Sequence, residues 1–143
     1  MGGWAPRAEQ LATARFLDDE AAGARFLAGF KRAVTARLWH LHEGFEAMRM
    51  RGLPVESLAP MGAIYLSARI AAQGQRLSTG ETLHSSEDVR RYLLEAAGFA
   101  LVPFRAFGVE QDEGWFRLSV GAVSLEEIDA ALPRVEQALA ALR

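Results

Sequence analysis

The sequence predicts an α/β fold of the α+β type, with a small, mostly antiparallel or mixed sheet of about three strands. Helices are expected mainly on one face of that sheet, preceded by a long helix. Three observations support this fold class. Apolar residues recur every three or four positions through the segment that ends near residue 51, which is helical spacing. Residues 115–120 alternate as a strand does, and Ser124 with Glu127 opens a second amphipathic helix.

The first half of the chain is predicted to be helical. Residues 7–17 form a short helix, and residues 19–51 form the long one, whose start is favoured by acidic side chains at 18–20. Gly52 and Pro54 end it. The apolar stripe of this helix consists of Leu27, Phe30, Val34, Leu38, Leu41, Phe45 and Met48.

The second half alternates between strands and helices. Strands are expected at residues 63–70, 99–102 and 115–120, with a long loop at 71–84. Ser85 and Asp88 form a capping box for a helix that ends at Gly98, with Val89, Leu93, Ala96 and Ala97 as its inner face. The last helix begins at Ser124 and is expected to kink at Pro133, which lacks a backbone donor.

Composition limits the possible functions. The chain has 143 residues, of which 50% are hydrophobic and 24% charged, as expected for one domain spanning residues 1–143. A net charge of -2 gives no field that attracts nucleic acid or an anionic membrane. The absence of cysteine excludes disulfides and thiolate metal sites. No apolar run has the length of a membrane span, so a cytoplasmic location is expected.

Arg117 is the strongest candidate for a functional residue. Strand alternation places it with Trp115 and Ser119, on the face opposite Phe116, Leu118 and Val120. An arginine in a largely apolar strand is costly to bury unless it is paired or faces a ligand. Its planar fork suits a carboxylate, which it can bind through two parallel hydrogen bonds. The strand alone leaves open the alternative of an arginine on a solvent-facing surface.

Other candidates do not form a catalytic or metal site. His40 and His42 lie two residues apart on a helix, so their side chains point in different directions. Lys31 lies in the middle of the long helix, where no strand or loop presents it to a pocket. Ser85 and Ser86 read as helix caps because no nucleophile-elbow motif surrounds them. No catalytic, metal-binding or cofactor-binding residue is therefore predicted.

The chain nevertheless resembles one enzyme family along its whole length: the class I/II, fold-type I, pyridoxal-phosphate-dependent aminotransferases. Gly3-Trp4-Ala5 is similar to the segment shortly after the family's cofactor lysine, and the long helix to the one that bridges its two domains. The other segments that resemble the small, C-terminal domain are Pro60-Met61-Gly62-Ala63-Ile64-Tyr65-Leu66, residues 92–103, Phe107-Gly108, Gly114-Trp115-Phe116-Arg117-Leu118-Ser119 and Glu126-Glu127-Ile128.

The resemblance assigns roles to particular residues. It implies that Arg117 binds the α-carboxylate of the substrate, and that Phe107, Gly108 and Tyr65 line the substrate side of the pocket. It also implies transfer of an amino group between an amino acid and a 2-oxo acid, with pyridoxal 5'-phosphate as cofactor. The identity of the amino acid substrate does not follow.

The chain also departs from the family pattern. The family's large domain supplies the cofactor lysine and the cofactor cradle, and the sequence begins after that region. We therefore expect a C-terminal portion that is inactive alone and binds no cofactor. Residues 1–17 and the helix 19–51 would be its connection to a large domain. Exposed apolar surface would favour a homo-oligomer, such as a dimer, or association with that domain.

An alternative function stays open at this point. The chain could be a free-standing, non-catalytic domain that binds a small carboxylate through Arg117 or docks a protein partner on its long helix. Neither reading involves nucleic acid or a membrane.

Overall fold

The computed structural model describes residues 5–111 and 113–143. Gly3 and Trp4, which contribute to the family resemblance, lie outside these residues. The helices are α1 (Arg7–Asp18), α2 (Glu20–Met50), α3 (Ser86–Ala97) and α4 (Leu125–Ala140), with a 3₁₀ helix at Phe104–Phe107. The strands are β1 (Val55–Ser57), β2 (Tyr65–Ile70), β3 (Val102–Pro103) and β4 (Trp115–Ser119). None of the helices in the described part is long and apolar enough to cross a membrane.

The chain divides into two compact units, Met1–Ala33 and Val34–Arg143. In the first unit, the Asp19 side chain accepts a hydrogen bond of 2.9 Å from the backbone N–H of Ala22, which caps the start of α2. The Phe26 ring contacts Phe16 edge-on and Phe30 by stacking. No residue of α1 is buried. The prediction that residues 1–143 form one domain stays a prediction.

The second unit is built on a four-stranded antiparallel sheet with strand order β1-β2-β4-β3. The predicted fold class is confirmed, although one strand was missed. That strand, β1, has three residues, too few to show a clear alternation. The strand predicted at 99–102 is limited to Val102–Pro103 because residues 99–101 carry no ladder hydrogen bonds.

One face of the sheet is buried and the other is open. Leu66, Ala68 and Ile70 of β2 and Phe116 and Leu118 of β4 belong to a single hydrophobic core. The same core contains residues from three helices: Val34, Leu38, Leu41, Phe45 and Met48 of α2, Val89, Leu93 and Ala97 of α3, and Ile128, Val135, Ala138 and Leu139 of α4. The helices therefore cover one face, as alternation along the strands predicts.

The apolar stripe predicted for the long helix is buried only in part. The five members from Val34 onward lie in the core, but Leu27 and Phe30 are about half exposed. Both precede the second unit, and no residue of α1 is buried against them. Ala96, predicted on the inner face of α3, is also exposed.

Both predicted capping boxes are present. Ser85 caps α3 and Ser124 caps α4, each accepting from the backbone N–H three residues later. The Ser85 hydroxyl also donates to the Asp88 carboxylate, and with the backbone N–H groups of His84 and Ser85 it holds the pKa of Asp88 below its usual range. Helix α4 continues through Pro133. The kink expected there stays a prediction.

Leu93 and Leu94 are adjacent in α3, and substituting each of them tests which face of the helix is buried. Leu93 is fully buried, whereas Leu94 is 44% exposed. We expect Leu93→Ala to lower the free energy of unfolding by about 2–5 kcal/mol, because it leaves a cavity in the core. Leu94→Ala, which has the same chemistry and helix propensity, should change it by less than about 0.5 kcal/mol. Urea denaturation followed by circular dichroism measures both, and equal losses would contradict the assignment.

Candidate functional site

Arg117 lies in the middle of β4, on the open face of the sheet. Its Cα pairs with Ser67 of β2 on one side and with Val102 of β3 on the other. Directly opposed residues of antiparallel strands point to the same face, so the three side chains project together. The side chain of Arg117 is partly buried. It forms no hydrogen bond or ion pair with any residue in 5–111 or 113–143.

Two aromatic rings contact the Arg117 guanidinium. Its Cζ lies over the Tyr65 ring, 4.4 Å from the ring centroid. It also lies over the Phe107 ring, at 4.1 Å. Both distances fall within the range of cation–π interactions. The rings come from opposite sides of β4, since Tyr65 belongs to β2 and Phe107 to the 3₁₀ helix after β3. We call these two rings the aromatic clamp.

Gly108 follows Phe107 and ends the 3₁₀ helix. Its φ is 86°, in the left-handed region that favours glycine, and its N–H donates to the Arg105 carbonyl at 3.1 Å. The structure therefore brings together the four residues predicted from the sequence, namely Arg117, Tyr65, Phe107 and Gly108. Their roles toward a substrate stay predictions.

A second arginine on the same face shows a different arrangement. Arg69 of β2 donates to the Glu113 carbonyl at 2.9 Å and to the Glu56 carboxylate at 3.3 Å. Its charge is paired with a carboxylate, and its Nε and Nη1 groups both donate to acceptors. The Arg117 guanidinium contacts two aromatic rings instead, so its positive charge and in-plane N–H groups stay available to a ligand.

Sequence reasoning missed part of the surroundings of Arg117. Phe104 packs against Trp115, with ring centroids 6.3 Å apart, and Val102 stands directly opposite Arg117. The alternation of β4 placed Trp115 on this face. Phe104 had no comparable signal, because it lies in a 3₁₀ helix whose position depends on how β3 pairs.

Two cavities lined by described residues of the second unit lie away from Arg117. One of about 410 Å³ lies between the start of α3 and the 3₁₀ helix, lined by Ser85, Ser86, Glu87, Pro103, Arg105 and Ala106. Another, of about 380 Å³, lies beside α4 and the end of β4. Arg117 lines neither of them.

His40 and His42, which were weighed as a metal pair, have separate hydrogen-bond partners. His40 Nε2 lies 2.5 Å from an Asp129 carboxylate oxygen, whereas His42 Nδ1 lies 2.7 Å from the Ser57 hydroxyl. No group of three or more metal-ligating side chains was found among the described residues.

The sequence was compared with known proteins. The family model described as aminotransferase class I and II matches residues 1–135. This chain belongs to that family. A probable aspartate/prephenate aminotransferase of Rickettsia bellii is 40% identical to it over 88 residues, which are 61% of this chain and 21% of that protein.

Solved aminotransferases share the fold. The aromatic aminotransferase from Pyrococcus horikoshii has a TM-score of 0.70 and 29% identity, over 92% of this chain and 31% of that one. The aspartate aminotransferase from Rhizobium meliloti has a TM-score of 0.64 and 28% identity, over 81% and 26%. The recognition made from the sequence is confirmed. The chain spans 21% and 20% of the length of two curated relatives, so it corresponds to a portion of an aminotransferase.

Aminotransferases of this family depend on pyridoxal phosphate, which they attach to a lysine amine. The one lysine of this sequence is Lys31. It is exposed on α2 within the unit Met1–Ala33, whereas Arg117 belongs to the unit Val34–Arg143. An exposed helix position offers no pocket that would enclose the lysine and exclude water. The described residues therefore do not fit the cofactor by themselves.

Gly114 determines where β4 begins and hence where Arg117 stands. Its φ is +78°, and a Cβ built there would lie 2.8 Å from the Ile70 carbonyl oxygen. The Gly114 carbonyl accepts from the Ile70 N–H at 2.9 Å, so this position joins β4 to the end of β2.

We expect Gly114→Ala to lower the free energy of unfolding by about 1–3 kcal/mol, because alanine is strained at positive φ and meets backbone atoms. Gly62→Ala is the matched control, since a Cβ there has nothing within 4 Å. Chemical denaturation of both variants is the measurement. Equal stability of the two would show that Gly114 does not constrain β4.

Proposed function

We propose that this chain is the C-terminal, substrate-binding portion of a pyridoxal-phosphate-dependent aminotransferase. The intact enzyme would transfer an amino group between an amino acid and a 2-oxo acid. In this proposal Arg117 binds the α-carboxylate. The observation that carries it is the guanidinium held between Tyr65 and Phe107 with no carboxylate partner among the described residues.

The chemistry of Arg117 suits this role. A guanidinium stays charged at every physiological pH and presents parallel N–H groups that match the two oxygens of a carboxylate. A charge-assisted pair of this kind is stronger than a neutral hydrogen bond, and more so where water is excluded. On the open sheet face only one side of the ligand would be covered. A second domain would have to close the site.

The cofactor chemistry would come from residues outside this chain. Pyridoxal phosphate, held by those residues, would supply the electron sink that transamination needs. Arg117 would orient the amino acid by its carboxylate, and Tyr65, Phe107 and Gly108 would line the same side. Since Lys31 is exposed on a helix, we propose that the chain alone is inactive.

Aspartate is the first amino acid to test, because several relatives carry the name aspartate/prephenate aminotransferase.

Oligomer formation, association with a large domain and a cytoplasmic location stay predictions. The alternative of a free-standing carboxylate-binding domain is supported by the same guanidinium, which has no carboxylate partner among the described residues. The aminotransferase portion would take part in a reaction that uses pyridoxal phosphate. The free-standing domain would bind a carboxylate without cofactor or catalysis.

Arg117 should dominate carboxylate binding. We expect L-aspartate to shift the NMR resonances around β4, and Arg117→Ala to weaken that binding by about 10- to 100-fold, since hydrogen bonds to a charged group contribute about 1.5–3 kcal/mol. Arg69→Ala is the matched control, because Arg69 lies on the same face but is engaged by Glu56. Binding that survives in Arg117→Ala, or no binding by the unaltered chain, would contradict the proposed role.

Incubation with pyridoxal phosphate tests whether the chain is inactive alone. We expect borohydride reduction to give only slow, partial labelling of exposed amines, and no turnover of L-aspartate with 2-oxoglutarate. Peptide mass spectrometry and a coupled assay measure the two quantities, with Lys31→Arg as the control. Stoichiometric labelling of Lys31 together with turnover that Lys31→Arg abolishes would overturn this part of the proposal.

A further inference from the structure

Beyond the role of Arg117 itself, the geometry points to a function for its two aromatic neighbours. We propose that Tyr65 and Phe107 are positioning residues that hold the Arg117 guanidinium ready to accept a planar carboxylate along its edge. This inference rests on the proposed function, because it concerns how the same arginine binds its ligand.

The first argument is the way Arg117 is held. An arginine side chain has several rotatable bonds, and fixing it for a ligand costs side-chain entropy. The two ring contacts, at 4.4 and 4.1 Å from Cζ, restrict the guanidinium before any ligand arrives. A ligand then meets an arranged donor group, and binding to a preorganised site is tighter.

The second argument is what the rings leave unoccupied. Cation–π attraction acts between the cation and the face of a ring and uses none of the guanidinium N–H bonds. Those bonds lie in the guanidinium plane and point outward from its edge. A carboxylate neighbour would have held the arginine equally well, but it would also have occupied these donors.

Arg69 provides this comparison within the same sheet. Its guanidinium is held by the Glu56 carboxylate and the Glu113 carbonyl, both of which take up N–H groups. Arg69 and Arg117 share one face, two residues apart along adjacent strands. One is held by acceptors and the other by aromatic rings. Only the second arrangement keeps a charged fork open to a ligand.

The third argument is that the backbone positions of Tyr65 and Phe107 place both rings beside Arg117. Tyr65 is opposite Ser119, two positions from Arg117 along β4, a diagonal distance that an aromatic side chain can span. Phe107 ends a 3₁₀ helix that is closed by Gly108 with φ of 86°. This glycine turns the chain directly after the ring. The Gly108 residue thus contributes by fixing Phe107.

The exposure of the rings agrees with a positioning function. Tyr65 is 42% and Phe107 49% exposed, so neither is a core residue. Large side chains kept at a surface beside a cation are characteristic of binding sites. Their exposed parts flank the place where the carboxylate would lie and would reduce its access to water.

An NMR experiment on the chain tests the clamp without any ligand. We expect the Nε–Hε proton of Arg117 to be shifted upfield by ring currents, relative to that of Arg105. Tyr65→Leu and Phe107→Leu should each remove part of this shift. Tyr65→Phe and Phe107→Tyr should preserve it, since both keep the ring. An unshifted Arg117 resonance would overturn the proposal at this first step.

Titration with sodium acetate tests whether the two rings strengthen carboxylate binding by Arg117. Acetate offers a carboxylate without the rest of an amino acid. We expect Tyr65→Leu and Phe107→Leu to weaken acetate binding about two- to fivefold each, and the double variant about tenfold. Arg117→Lys, which keeps the charge but loses the fork, should weaken it about tenfold. Phe104→Leu is the matched control, because Phe104 belongs to the same 3₁₀ helix but contacts Trp115.

The outcomes separate the two proposals. If acetate binding depends on Arg117 but is unchanged in both leucine variants, the positioning function is wrong and the proposed function stands. If the ring-current shift is present but acetate does not bind, the α-carboxylate role fails and the inference fails with it. Loss of binding in Phe104→Leu equal to that in Phe107→Leu would indicate general disruption of the 3₁₀ helix, and would also overturn it.

Discussion

In the antiparallel pairing of β2 with β4, Leu66 lies opposite Leu118 and Ala68 opposite Phe116, on the face that the helices cover. The same register places Ser67 opposite Arg117 on the other face. A shift of one residue would exchange the two faces, moving the arginine into the core and the phenylalanine into solvent. The burial of Phe116 therefore fixes the position of Arg117. The packing of the core and the position of Arg117 depend on one set of backbone hydrogen bonds.

Strong local signals explain what the sequence predicted well. The capping boxes at Ser85 and Ser124 and the helical stripe from Val34 to Met48 each involve residues close in the chain. Arg117 was identified because it is a charged residue in the middle of a largely apolar strand. The family resemblance then implied that it binds the α-carboxylate of the substrate. The resemblance also indicated Tyr65 and Phe107. Their contact with the guanidinium could not be predicted, because it depends on the order of three strands that are distant in sequence.

Short elements and an apolar stripe that is only partly buried account for what was not predicted. Strand β1 has three residues and is defined by its backbone pairing with β2, a contact between elements that are separate in the sequence. The stripe on α2 continues to Leu27 and Phe30, yet these side chains stay exposed in the structure. Helical periodicity identifies an apolar face but does not show what covers it. A pattern of this kind is a weaker guide where a chain forms only part of a larger protein.

Helix α1 buries none of its residues, whereas α2 contributes five to the core. A helix of 12 residues that buries no side chain is marginally stable in water. Local opening therefore costs little free energy in α1 and nearly the full unfolding free energy around Phe45. Amide protons along α1 would exchange with solvent well before those of the core. The chain consequently has a gradient of local stability, and strand β4, which contributes Phe116 and Leu118 to the core, lies at its stable end.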